Sequence, residues 1–109
     1  MDKLAIIDFS LQIKDAKGEP IRDGINIVTL GEICAQALLS NHEEDRSVSA
    51  ESKVARYKLF HSIFERDEDG SMTPKKALEV GSEDAALIRK MVNRSFGTLI
   101  VGQVFDIIK

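Results

Sequence analysis

Residues 82–109 read Ser82-Glu83-Asp84-Ala85-Ala86-Leu87-Ile88-Arg89-Lys90-Met91-Val92, then Asn93-Arg94-Ser95-Phe96-Gly97, then Thr98-Leu99-Ile100-Val101-Gly102-Gln103-Val104-Phe105-Asp106-Ile107-Ile108-Lys109. In the first segment Ala85, Ile88, Met91 and Val92 recur at helical spacing and share one face. Ser82 stands where an N-cap belongs, and Glu83 and Asp84 fall in the first turn, where carboxylates suit the positive end of the helix dipole. Gly97 suits the position just past a helix end, and Thr98 then caps a last helix running through Ile108. That last helix is apolar more than halfway round, so it is either the central core element or one face of an oligomer. A small domain needs its apolar residues for its own interior, which makes the core the default reading. Gly102 in mid-helix costs about 1 kcal/mol against alanine and points to close approach by another backbone.

Working back from this stretch, three more segments are periodic. Thr29-Leu30-Gly31-Glu32 has the spacing of a capping box, and Leu30, Ile33, Cys34, Ala37 and Leu38 form one face of the helix it opens. Ser49 caps a second helix reaching about Phe64, with Val54, Tyr57, Phe60, Ile63 and Phe64 inward and Leu59 widening the stripe. Residues 3–13 alternate as a strand broken near Asp8, and Ile25 to Val28 form a second β segment after the turn at Asp15–Pro20. Residues 42–49 and 65–70 read as charged loops, and Lys76–Val80 as a short strand. The expected class is therefore α+β. A single domain over residues 1–109 would begin with a β-hairpin region, 1–28, and continue as four short helices, 29–109.

The composition narrows the function classes. At 109 residues, 43% hydrophobic and 30% charged, the chain has the make-up of one globular domain. A net charge of -3 and the absence of a Lys/Arg cluster argue against nucleic acid as partner. The groups Lys53-Arg56-Lys58, Lys75-Lys76 and Arg89-Lys90-Arg94 are each offset by nearby acids. One cysteine, Cys34, cannot form an internal disulfide, which fits a reducing, cytoplasmic compartment. The apolar run at the N-terminus is too short for a signal peptide, and no stretch has the length of a membrane span.

No chemistry-bearing constellation emerges. Set against an EF-hand loop, Glu65, Asp67, Asp69 and Gly70 fall at positions 1, 3, 5 and 6, but position 12 is Lys76 where the closing glutamate belongs. His42, Glu43, Glu44 and Asp45 are adjacent on a loop and lack a second His/Cys cluster. Cys34 lies among Ile33, Ala37 and Leu38, as a small buried hydrophobe rather than a nucleophile. The reading is a non-enzymatic protein with no cofactor or metal, acting on a protein partner and self-associating as a homo-oligomer.

Several motifs resemble those of small accessory proteins of tailed phages and prophages. They are Asp15 to Ile21 (Asp-x-x-Gly-x-Pro-Ile), the Thr29-Leu30-Gly31 helix start, Glu51-Ser52-Lys53-Val54-Ala55-Arg56, Ser82 to Lys90, Phe96-Gly97 and Leu99 to Gln103. The acidic stretch Arg66 to Met72 departs from that pattern. The layout is similar to that of tail assembly chaperones. The resemblance implies a protein of the host cytoplasm that binds other phage proteins, in virion (tail) assembly. The face expected to carry binding is that of the last helix, with Val101, Val104, Phe105 and Ile108 as anchors. The alternative is an inhibitor of a host enzyme or defence complex, binding through the acidic residues Glu43, Glu44, Asp45, Asp67, Glu68 and Asp69.

Overall fold

The structure, a computed structural model, describes residues 5–40 and 49–109. Its elements run β1 (Ala5–Ile7), β2 (Arg22–Asp23), β3 (Asn26–Ile27), α1 (Leu30–Leu39), α2 (Ala50–Ile63), β4 (Phe64–Arg66), β5 (Met72–Pro74), β6 (Leu78–Val80), α3 (Ser82–Ser95) and α4 (Thr98–Ile107). The class is α+β, with small antiparallel strand pairs beside the helices. No helix among the described residues is long and apolar enough to cross a membrane.

Local chemistry sets the helix starts. The Thr29 hydroxyl accepts from the Glu32 N–H at 3.3 Å, and the Ser49 hydroxyl accepts from the Ser52 N–H at 3.2 Å. Gly81, not Ser82, occupies the cap of α3, and Gly97, not Thr98, that of α4. Both of these helices thus begin one residue earlier than the sequence suggests. Gly97 also follows the C-cap Phe96, but with φ −86 it needs no left-handed backbone.

The N-terminal region keeps the expected turn at Asp15–Pro20, closed by an antiparallel bridge between Lys14 and Pro20, but its first strand pairs elsewhere. β1 pairs antiparallel with β6, Ala5 opposite Val80 and Ile7 opposite Leu78. It ends where Asp8 turns the chain by accepting from the Ser10 N–H at 2.8 Å. The hairpin proper is β2–β3, closed at Gly24 with φ +65, a conformation only glycine enters freely. Three backbone bonds then link the passing segments in a ring. Ile13 N–H donates to Val28 C=O, Val28 N–H to Ile21 C=O, and Ile21 N–H to Ile13 C=O. Of the segment read as a charged loop, 65–70, Glu65 and Arg66 belong to a strand and the rest to the tip of a second hairpin, β4–β5, with Phe64 opposite Pro74 and Arg66 opposite Met72.

The core gathers Phe9, Ile13, Leu30, Ile33, Cys34, Ala37, Leu38, Leu59, Ile63, Ala85, Ile88, Met91, Val92, Val104 and Ile108. Helix α1 packs against both α2 and α3, and α4 against α3. The faces read for α1 and α3 are the buried ones. For α2 the stripe is displaced: Arg56, Leu59 and Ile63 point in, Phe60 and Phe64 pack partly against the core as expected, and Val54 and Tyr57 point out. Arg56 takes an inward place by laying its long stem along the interior, and its guanidinium Nη1 lies 3.6 Å from Met91 Sδ.

Candidate protein-binding surfaces

The last helix has two faces. Val104 and Ile108 are fully buried, and Val101 is partly buried against the same cluster. These residues serve the interior, because α4 covers the open side of α3 and the N-terminal segment. Of the four expected anchors only Phe105 is exposed, at 40%, and it is joined on the outside by Leu99 at 46%. The carboxamide of Gln103 holds α4 in place: its Oε1 accepts from the Lys14 N–H and its Nε2 donates to the Lys14 C=O, both at 2.8 Å. Gly102 meets nothing within 4 Å of where a Cβ would stand, so the close backbone approach expected from its mid-helix position is not made within the described fold.

A second apolar surface, not visible from periodicity, lies on α1 and α2. Leu39, Val54 and Tyr57 are 51%, 50% and 55% exposed. Leu39 and Tyr57 line a groove of about 240 Å³ together with Leu38, Ser40, Lys53 and Arg56. Along α2 the rings run in series from the exposed Tyr57 and His61 to Phe60 and Phe64, which pack partly against the core. Tyr57 meets His61 edge-on at 4.5 Å, His61 lies 5.0 Å from Phe60, and Phe60 lies 5.6 Å from Phe64. Such ring contacts contribute about 0.5–1.5 kcal/mol beyond burial. The signal was present in the sequence: α2 carries apolar residues all round, so two stripes compete.

Arg56 also borders a neighbouring groove of about 260 Å³, lined by Ser49, Ser52, Leu87, Lys90, Met91 and Arg94. The structure thus brings Lys53, Arg56, Lys90 and Arg94 around two adjoining hollows, while Arg89 lines neither.

The described acids of the alternative surface, Asp67, Glu68 and Asp69, form the β4–β5 tip. Asp67 accepts from the hydroxyls of Ser71 and Thr73 at 3.1 and 2.6 Å. Asp69 accepts from the Ser71 hydroxyl and N–H at 2.7 and 3.0 Å, which lowers its pKa below the ordinary aspartate value. Two of the three carboxylates are therefore committed to their own turn, and Gly70 completes it at φ +88. Glu43, Glu44 and Asp45 lie outside the described residues. Among the described residues no three of His, Cys, Asp and Glu come together as a metal site would need.

Cys34 and His61 have different surroundings. Cys34 is fully buried, and desolvation pushes its thiol up to about 12, far from the thiolate a nucleophile requires. His61 is exposed in the ring series on α2.

Comparison with protein families, with curated proteins and with solved structures finds no match. The surfaces themselves bear on function.

Proposed function

We propose that this chain works by binding another protein through the α1–α2 surface, with virion (tail) assembly as its setting. The observation that carries the binding is the pair Leu39 and Tyr57, large apolar side chains left half-exposed at one groove, with Val54 half-exposed three residues before Tyr57 on α2. A Tyr anchor beside a hollow, with aliphatic neighbours and Lys53 and Arg56 at the edge, has the composition of a binding hot spot. The assembly setting rests on the motif resemblance alone.

The test is a tagged pull-down from the producing cells, wild type against Val54→Ser/Tyr57→Ser. Both positions are half-exposed, so the variant's thermal midpoint should stay close to that of the wild type. Recovery of a virion protein by the wild type and its loss by the folded variant is the expected result. Unchanged capture by the variant overturns the surface. Recovery of a host enzyme instead, lost on neutralising Asp67, Glu68 and Asp69, would replace the assembly reading with the inhibitor one.

A further inference from the structure

We propose that α4 pairs with the α4 of a second copy of this chain, antiparallel, with Gly102 at the two-fold axis. The inference is independent of the α1–α2 surface and rests on how the outer face of α4 is composed.

That face is formed by Thr98, Leu99, Gly102, Phe105 and Asp106, all exposed, while Ile100, Val101, Gln103, Val104 and Ile107 are turned toward the molecule. At 100° per residue Gly102 sits at the centre of the exposed arc, with Leu99 and Phe105 flanking it on either side. Among the described residues the glycine has no packing role: its φ is not positive, and none of their atoms lies within 4 Å of its missing Cβ. A residue that weakens its own helix, placed between two exposed apolar side chains, is explained by a partner helix approaching at that point.

The spacing selects a second copy as that partner. A two-fold interface must be self-complementary, each residue meeting a counterpart that meets it in return. Leu99 lies three residues before Gly102 and Phe105 three after it, so antiparallel pairing sets Leu99 of each copy level with Phe105 of the other. The charges obey the same symmetry. Asp106 stands in the last turn of α4, at the negative end of its own helix dipole, where a carboxylate is unfavourable. The first turn of α4 has no acidic residue and no side-chain cap from Gly97. Thr98 lies four residues before Gly102 and Asp106 four after it, so each Asp106 is brought level with the other copy's open N-terminal turn. A parallel pair would stack like ends and leave both defects in place. The surface is one helix wide, which makes the dimer a reversible, concentration-dependent one.

Sedimentation equilibrium across a concentration series tests this. The wild type is expected to shift from monomer toward dimer, and Gly102→Leu and Phe105→Glu each to remain monomeric with unchanged circular dichroism. Leucine favours the helix more than glycine does, so loss of the dimer in Gly102→Leu cannot be ascribed to a failed fold. Orientation is read by mixing Leu99→Cys with Phe105→Cys under mild oxidation, Cys34 being buried. Mixed 99–105 disulfides should form at least several-fold faster than either homodimer. A wild type monomeric at every concentration, a dimer that survives Gly102→Leu, or faster 99–99 linkage would each overturn the proposal.

Discussion

Gly31 and Gly102 are both helical glycines with negative φ, yet their surroundings are opposite. A Cβ on Gly31 would stand 2.9 Å from Pro74 Cβ and 3.1 Å from the Phe9 carbonyl oxygen, which itself accepts from the Gly31 N–H at 2.8 Å. Neither obstacle is a flexible tip: one is a ring in β5, the other is backbone. Gly31→Ala is therefore expected to destabilise the fold by about 1–3 kcal/mol, measured by urea unfolding, despite alanine's better helix propensity. A stability equal to the wild type would mean the β4–β5 hairpin can move away at no cost. In the sequence Gly31 is only the third letter of a Thr-Leu-Gly-Glu cap. Its packing role depends on Phe9 and Pro74, distant in sequence and adjacent in space. Cys34 shows the reverse case, because its place on the apolar stripe of α1 already implied burial.

The β4–β5 hairpin is an element held by its own turn. Ser71 bonds both Asp67 and Asp69, and the Gly70 N–H donates to the Asp67 C=O at 2.9 Å. Hydrogen bonds from Ser71, side chain first and then backbone, favour the charged form of Asp69 and lower its pKa. A carboxylate with a lowered folded pKa contributes stability that is present above its unfolded value, about 3.9, and is lost as pH falls through the folded value. The Ser71 amide should therefore shift and lose hydrogen-exchange protection in acid below that range, as read by NMR. Asp69→Asn should show a shifted or weakened acid transition at this amide. An amide insensitive to pH from 5 to 2 would show that Asp69 does not hold the turn. Local pattern hides this hairpin within 65–70 because charged residues lower strand propensity, while the pairing of Phe64 with Pro74 depends on a segment ten positions further along the chain. Helix α2 is ambiguous for a related reason. With apolar residues on every side, its periodicity offers two stripes, and contact with α1 and the rest of the core selects the one containing Leu59 and Ile63.

At the scale of the molecule, the N- and C-terminal parts are tied together. β1 lies against β6, and Gln103 in α4 bonds both backbone groups of Lys14 across 89 positions. Replacing Gln103 by Ala removes the two exposed bonds to Lys14 and a third from Nε2 to the Leu99 C=O at 3.2 Å, at a cost of about 1 kcal/mol. Hydrogen exchange at the Lys14 amide should accelerate with little change in the centre of α1, as measured site by site. Uniform acceleration would mean that the clamp supports the whole core rather than the docking of α4.

The residue pattern by itself determined the α+β class, the four helices and the inward faces of α1 and α3, because capping chemistry and a clean 3.6-residue period act locally. It also marked the break at Asp8 and a strand at Lys76–Val80, of which Leu78–Val80 form β6. Only tertiary structure decided the partner of β1, the buried stripe of α2 and the division of α4 into a core face and an outer one. Each of these choices lies between local states of similar energy, and is settled by which surface a distant segment supplies to be buried against. Val104 and Ile108 fill the interior, while Leu99, Gly102 and Phe105 remain outside it. That division is fixed by where α3 and Lys14 hold the helix.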